Sequence, residues 1–394
     1  MPPVVIASAV RTPIGRFLGG LSGLTAVELG TVAARAACER AGIPADRVES
    51  VVFGHARQAG AGPNPARQVA MAAGMPFSVP AYTVNMACAS GLKAIELGAA
   101  AIATGQAEVV LVGGMESMSR VPHLVEGLRF GHKLGALELV DAMERDGFLC
   151  RICHQLMGAT AETLADRYQI PRTEQDQYAL ESQRRAAAAI AAGRFVDEIV
   201  KVEVPGRGGT RIEIAADEHP RSDTTAEGLA ALRPVFKGTD GTVTAGNSSG
   251  IVDGAAALVL ASEPAVRAAG IEPLARLAGF TSAGVDAAVM GLGPVPAVQA
   301  LLARTGRRLA DIPLIELNEA FAAQVLACDR ELHFDRERLN VNGGAIALGH
   351  PIGATGARIV VTLVHEMRRR AVTAGLATLC VSGGQGMAAL VTRD

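Results

Sequence analysis

Cys88 and Cys380 each follow a β-like apolar run and precede a turn of small residues. A histidine, His350, stands in the glycine-rich run Asn342-Gly343-Gly344-Ala345-Ile346-Ala347-Leu348-Gly349-His350-Pro351-Ile352-Gly353. Two thiols and an imidazole in such turns are the parts needed to make and break a carbon–carbon bond through a thioester. The first thiol carries an acyl group, the imidazole activates that thiol, and the second thiol moves a proton. A thiolate is nucleophilic yet leaves readily, which suits an acyl carrier that must be emptied at every turnover. The α-proton of a thioester is only weakly acidic. Its base must therefore stand close, and the enolate oxygen must meet fixed donors, each typically worth about 3–4 kcal/mol.

Cys88 lies in Asn85-Met86-Ala87-Cys88-Ala89-Ser90-Gly91, where a strand is expected to turn into a helix. The orphan N–H groups and dipole of a helix N-terminus would favour a thiolate there. The plainer reading of such a residue is an inert core cysteine. His350 alone also reads more plainly as a surface or core histidine, but Pro351 and the flanking glycines argue for a ring fixed at a backbone turn.

The elements that must hold these groups alternate along the chain. Strands are expected at Val4–Ala9, around Val51–Phe53, at Ala81–Met86 and at Val109–Val112, the last ending at Gly113-Gly114. Helices are expected at Ala26–Ala41 and Gly91–Thr104. The second half repeats the grammar: a strand at Ile312–Ile315, a helix after Asn318-Glu319-Ala320-Phe321, a glycine turn entered at Asn340–Asn342, a helix at Gly356–Arg370 and a strand at Leu376–Val381. Such alternation predicts an α/β fold with a mostly parallel sheet covered on both faces, and the repeated order points to duplication. Residues 121–249 differ. There Thr173-Glu174-Gln175-Asp176 after Pro171 offers a capping-box-like helix start, and Val200–Val204 with the polar run to Thr225 reads as an exposed hairpin. This stretch is expected to be an inserted lid, after which Ala255–Leu260 returns to the first half.

Composition narrows the function classes. At 394 residues, 49% hydrophobic and 19% charged, the chain can bury a large interior and is not disordered. Aromatics are 3% and glycines number 45, so an aliphatic core with close backbone packing is expected. A net charge of −2 gives no electrostatic support for nucleic-acid binding. No apolar stretch approaches the ~20 residues that span a bilayer. The start, Met1-Pro2-Pro3-Val4-Val5-Ile6, reads as a first strand, not as a signal peptide, and Thr392-Arg393-Asp394 is not a peroxisomal address, so a cytoplasmic protein is expected. Its six cysteines are expected to be reduced.

With Asn318-Glu319-Ala320-Phe321, Gly349-His350-Pro351 and Cys380-Val381-Ser382-Gly383-Gly384-Gln385-Gly386, the pattern resembles the thiolase family, nearest to its acetyl-CoA acetyltransferase branch. Arg11-Thr12-Pro13-Ile14-Gly15, Gly113-Gly114-Met115-Glu116-Ser117-Met118 and Thr244-Ala245-Gly246-Asn247-Ser248-Ser249-Gly250 extend the resemblance over essentially the whole chain. It implies a five-layered αβαβα core of two duplicated βαβαβαββ-type halves: residues 1–120 with 250–271, and residues 272–394. Residues 121–249 would be the inserted lid that binds CoA and assists assembly. By the same resemblance Cys88 is the nucleophile, His350 its base, and Cys380 the acid–base at the α-carbon. One oxyanion hole would be the His350 ring with a water held by Asn318, and the other the backbone N–H groups of Cys88 and Ser382. Arg221, Ser249, Leu156, Met157, Phe236, Ala320 and Phe321 would line the CoA path. CoA and acyl-CoA would be substrates, with no tightly bound cofactor and no metal, in a homotetramer built as a dimer of dimers.

Two departures from the family pattern stand out. Leu156 replaces a histidine before Met157-Gly158, trading a polar contact near the pantetheine arm for an apolar wall. Ser382 stands where glycine is usual, so the backbone there must tolerate a Cβ. Other motifs are decoys. Cys150-Arg151-Ile152-Cys153-His154 has c-type haem spacing, but covalent haem needs export, and a zinc site lacks a second ligand pair. A solvent-side cysteine pair is expected there. Gly349, Gly353 and Gly356 do not have dinucleotide-loop spacing. A decarboxylating condensing enzyme would need no Cys380, and a non-catalytic acyl-CoA carrier would need none of the three groups.

Overall fold

The computed structural model describes residues 3–393 of the chain; Met1, Pro2 and Asp394, which belong to the expected terminal segments, lie outside the described residues. The first segment supplies strands β1 (Val4–Arg11), β2 (Ser50–Gly54), β3 (Ala81–Val84) and β4 (Val109–Ser117), with helices α1 (Ala26–Ala41), α2 (Pro65–Ala72) and α3 (Ser90–Ala103). The excursion that follows carries α4 (Met157–Arg167) and α5 (Arg172–Ala191). The chain then returns as β5 (Val252–Ser262) and continues through β6 (Ala275–Gly284), α6 (Pro294–Thr305), β7 (Ile315–Leu317), α7 (Ala322–Leu332), α8 (Ile352–Arg369), β8 (Ala374–Val381) and β9 (Gln385–Thr392).

Along the sheet the strands run β3-β2-β4-β5-β1 and then β6-β9-β8-β7, joined by a short β1–β6 pairing at Val5/Arg276 and Ile6/Ala275. The second run repeats the order of the first, and an isolated bridge from Ile315 to Leu339 stands where β3 stands in the first. Among these strands β2–β3, β2–β4 and β7–β8 pair in parallel; the pairs β1–β5, β4–β5, β6–β9 and β8–β9 are antiparallel. The sheet is thus mixed, not mostly parallel as expected. One reason is visible at the C-terminus, where β8 and β9 are joined by a tight hairpin at Ser382-Gly383-Gly384 that no crossover helix could make.

Three apolar cores define five layers. α1 and α2 cover one face of the β1–β5 run, and α6 and α7 cover one face of the β6–β9 run. Between them α3 and α8 share the largest core with the inner faces of both runs. These two helices meet almost backbone to backbone. A Cβ on Gly91 would lie 2.7 Å from Ala357 N, and one on Gly356 would lie 2.3 Å from Leu92 N. Gly356 therefore serves helix contact and does not start α8, which begins four residues earlier at Ile352. The same physics carries β4 through Gly113-Gly114 instead of ending it there. A side chain on Gly114 would fall 2.2 Å from Gly353 O.

The excursion is fastened to the core by charge. Arg11, fully buried in β1, donates from Nε to Glu198 (2.6 Å) and from Nη1 and Nη2 to Asp217 (2.7 and 3.0 Å). A buried guanidinium is tolerable only with such partners. The expected hairpin forms as Val202–Pro205 with Arg211–Ile214, but the segment beyond it turns back to Arg11 through Asp217. The capping box does not form: α5 starts at Arg172 after Pro171 without a side-chain cap, and Asp176 instead accepts from Arg172 Nε at 2.7 Å. No helix among the described residues is long and apolar enough to cross a membrane.

Candidate active site

Cys88 sits in a single 3-10 turn, Ala87–Ala89, between β3 and α3. The turn is tightly tied: Ala87 N donates to Asn85 Oδ1 (2.9 Å), and Ser90 Oγ accepts from Met86 N (2.9 Å) while donating to Ala87 O (2.6 Å). Ala87 itself has φ of 45°, a left-handed conformation that a non-glycine residue adopts at some cost. The thiol packs beside Ala56, Met118, Met143 and Ile352. Burial pushes its pKa up, against the pull of the Ser382 backbone N–H, the Arg57 guanidinium and its own N–H. The backbone N–H donors favour the thiolate, in the direction expected, but burial outweighs them. Even half-buried, the thiol loses more by desolvation than the terminal donors return. Alkylation of Cys88 by iodoacetamide is accordingly expected to rise with pH through a midpoint above that of a free cysteine. A midpoint below that of free cysteine, by quantitative mass spectrometry, would show that the donors win.

His350 precedes α8 just as Cys88 precedes α3. Its Nδ1 lies 2.6 Å from Thr355 Oγ1, whose own proton goes to Pro351 O at 3.0 Å. A hydroxyl has one proton to give, so Oγ1 accepts from Nδ1–H, and the lone pair of His350 is left on Nε2. That Nε2 is buried with no partner. Burial, reinforced by Arg358 and Arg57, brings the His350 pKa down to about 3, so the ring is neutral near neutral pH and free to take a proton.

Cys380 lies one residue before the end of β8 and is 1% exposed. Burial, with Cys88 and Cys328 nearby, holds its thiol protonated well above the usual range. Asn318 follows β7, the parallel neighbour of β8, and its backbone N–H donates to Thr378 O at 3.0 Å. Its side-chain Oδ1 and Nδ2 are both buried and both unpartnered, which a polar ligand would relieve. At Ser382 the expected strain is absent. The left-handed angles fall on Gly383 (φ 86°) and Gly384 (φ 85°), and Ser382 keeps its N–H aimed at the Cys88 sulfur.

The other expected residues divide into two groups. Met157, Ala320 and Phe321 gather with Cys380 and Met290 in one apolar cluster, and Phe236 meets Phe321 edge-on at 6.4 Å. Leu156 is the half-buried residue before α4, and Ser249 N donates to Ala320 O at 3.0 Å. Arg221 is the outlier: it is exposed, and its backbone is held by its N–H to Gln183 Oε1 (2.9 Å) and by its carbonyl, which accepts from Thr224 Oγ1 (2.8 Å). The Cys150–Cys153 pair does not face solvent as expected. Cys150 is 4% exposed and packs in the Cys380 cluster, because a short Leu149–Leu156 bridge folds its turn inward.

The sequence and the fold are matched by known proteins. Residues 4–264 fit the family model "Thiolase, N-terminal domain" and residues 271–393 fit "Thiolase, C-terminal domain". The chain belongs to the thiolase family. It is 52% identical to an acetyl-CoA acetyltransferase of Pseudomonas aeruginosa over 394 residues, covering 100% of both chains. Among solved structures it matches the Bacillus anthracis acetyl-CoA acetyltransferase with a TM-score of 0.97 at 46% identity, covering 100% of this chain and 99% of that one. The human mitochondrial 3-ketoacyl-CoA thiolase in complex with CoA matches with a TM-score of 0.95 at 43% identity, covering 100% and 98%. This thiolase is therefore an acyltransferase enzyme.

Glu116 and Glu319 stand inside the sequence motifs, but their structural tasks appear only in the fold. Buried Glu116 accepts from Gly353 N (2.9 Å), Arg57 N (3.2 Å) and Ala56 N (3.3 Å) and pairs with His55 Nε2 (3.1 Å). It thereby ties the His350 side of the site to the loop after β2. Glu319 accepts from Ser182 Oγ (2.7 Å), Tyr178 OH (3.0 Å) and Ile346 N (3.1 Å), pinning the glycine-rich run to α5. An acidic residue inside an otherwise apolar strand-end motif is the signal that could have found both.

Proposed function

We propose that this thiolase cleaves and forms 3-ketoacyl-CoA by a ping-pong Claisen reaction through an acyl group on Cys88. The reading is carried by the unpartnered Nε2 of His350, in a site where the charge of Cys88 also reaches the Cys380 thiol. In cleavage, His350 Nε2 takes the Cys88 proton as the sulfur attacks the 3-keto carbon. The C2–C3 bond then breaks, its electrons pass to the acetyl-CoA fragment, and Cys380 gives that carbon a proton. A second CoA thiol attacks the Cys88 thioester and carries the acyl group away. In the synthetic direction two acetyl-CoA give acetoacetyl-CoA and CoA.

The oxyanion of the thioester is held by the Cys88 and Ser382 N–H groups, and the enolate by His350 with a water on Asn318. This division gives the unpartnered atoms of His350 and Asn318 a task in the cycle. CoA lies along residues 121–249, with Met157, Phe236, Ala320 and Phe321 as its apolar wall, Leu156 and Ser249 beside the pantetheine arm, and Arg221 free to meet the nucleotide. We assign residues 1–120 with 250–271 and residues 272–394 to the two halves. The working form is a cytoplasmic homotetramer without a tightly bound cofactor.

The test is CoA-dependent loss of acetoacetyl-CoA beside a longer straight-chain 3-ketoacyl-CoA; silence on both would overturn the reading. Leu156→His is expected to shift the ratio between the two towards acetoacetyl-CoA, because it restores a polar contact and narrows the apolar wall. An unchanged ratio would show that Leu156 does not set chain length.

A further inference from the structure

Next to the Cys88 turn lies a cavity of about 470 Å³ that the reaction above leaves unused, lined by Ala56, Arg57, Gln58, Asn85, Val121 and Asp146 among others. Ala56 and Val121 also belong to the apolar cluster around Cys88, so the cavity and the reactive sulfur share a wall. Arg57 is 9% exposed, and its Nε is buried without a hydrogen-bond partner. Among the described residues no carboxylate pairs with its guanidinium. Gly147 passes directly over it; a Cβ there would sit 2.5 Å from Arg57 Nε.

A buried cation without a counter-charge is strongly unfavourable. The other buried arginines of this chain obey that rule: Arg11 has Glu198 and Asp217, and Arg358 has Glu316. The nearby acids are already engaged. Glu116 is held by three backbone N–H groups and His55, and Asp146 accepts from Arg145 Nε at 2.9 Å. The charge of Arg57 is also felt at the reaction centre, where it favours the Cys88 thiolate and disfavours a charged His350.

We propose that Arg57 receives the terminal carboxylate of an acyl group carried on Cys88, so that the enzyme takes 3-ketoacyl-CoA thioesters whose far end is anionic. The inference rests on the thiolase reading and names the acyl class within it. A carboxylate presents two acceptors in one plane, the match for a guanidinium fork, whereas a methyl-ended chain leaves the charge unmet. The chemistry is unchanged by the far end. The C2–C3 bond breaks, acetyl-CoA departs with the Cys380 proton, and the carboxylate-ended acyl group leaves Cys88 as its CoA thioester when CoA attacks.

The experiment compares kcat/KM for thiolysis of 3-oxoadipyl-CoA and 3-oxohexanoyl-CoA, equal in carbon count and differing at the far end. The wild-type enzyme is expected to favour the carboxylated substrate. In Arg57→Met that ratio is expected to fall roughly tenfold or more, as for a lost hydrogen bond to a charged group, and to recover in part in Arg57→Lys. A wild-type preference for the methyl-ended chain would overturn the inference even if no variant folded. An equal fall on both substrates would assign Arg57 to the thiolate and also overturn it. So would an unchanged ratio with a loosened oligomer, which would place a second copy's carboxylate in the cavity. Acetoacetyl-CoA serves as the control: its cleavage without any preference between the longer pair sinks this inference alone, while silence on all three sinks the thiolase reading.

Discussion

Cys88→Ala is expected to leave a folded protein that gains no acyl mass when mixed with acetyl-CoA. The turn around residue 88 is held by Asn85, Ser90 and the backbone, none of which involves the thiol. Loss of one small sulfur there is expected to cost stability only about 1 kcal/mol. Turnover has no such reserve. Without a nucleophile the two-step path is closed, and removing the attacking group from a covalent enzyme typically costs on the order of 10⁶-fold. Intact-mass spectrometry reads the outcome directly, and acetyl mass on the alanine variant would show that another group attacks.

Cys380→Ala is expected to separate the two halves of the reaction. Acyl transfer to Cys88 does not require a proton at the α-carbon, so the variant still acquires the acetyl mass. Exchange of the acetyl-CoA methyl protons with deuterated solvent does require one, and its rate is expected to fall by about 10²–10⁴. The environment explains the division. Burial keeps the Cys380 thiol protonated, ready to donate in cleavage, and a charged Cys88 nearby raises it further. Normal exchange in the variant would place the base elsewhere.

The residues proposed to carry chemistry stood out in the sequence because thiols, an imidazole and an amide have few reasons to stand at glycine-rich turns. The helix Ala26–Ala41 was also legible to the residue, since Thr25 and Glu28 form a reciprocal cap at its start and Gly42 takes the left-handed angle at its end. Glycine misled where it serves contact instead of a turn. Gly113, Gly114 and Gly356 look like punctuation in one dimension, and only the neighbouring backbone shows that each clears a path for it. Cys150 misled for a related reason. Its burial is decided by a turn folding against Cys380, a contact with no local signature. Arg57 carried no signal either, because a lone arginine in a polar stretch reads as solvated until its surroundings close over it.

The repeated strand order has a consequence for how the reactive groups came to face one another. Cys88 stands two residues before the first residue of α3, Ser90, and His350 stands two residues before the first residue of α8, Ile352. The proposed nucleophile and the proposed base are thus counterparts under an approximate twofold axis running between the paired helices. One copy of an ancestral turn holds a thiol and the other an imidazole. On this view a homodimer of identical ancestral units would already have brought two such turns together, and fusing the units freed each to specialise.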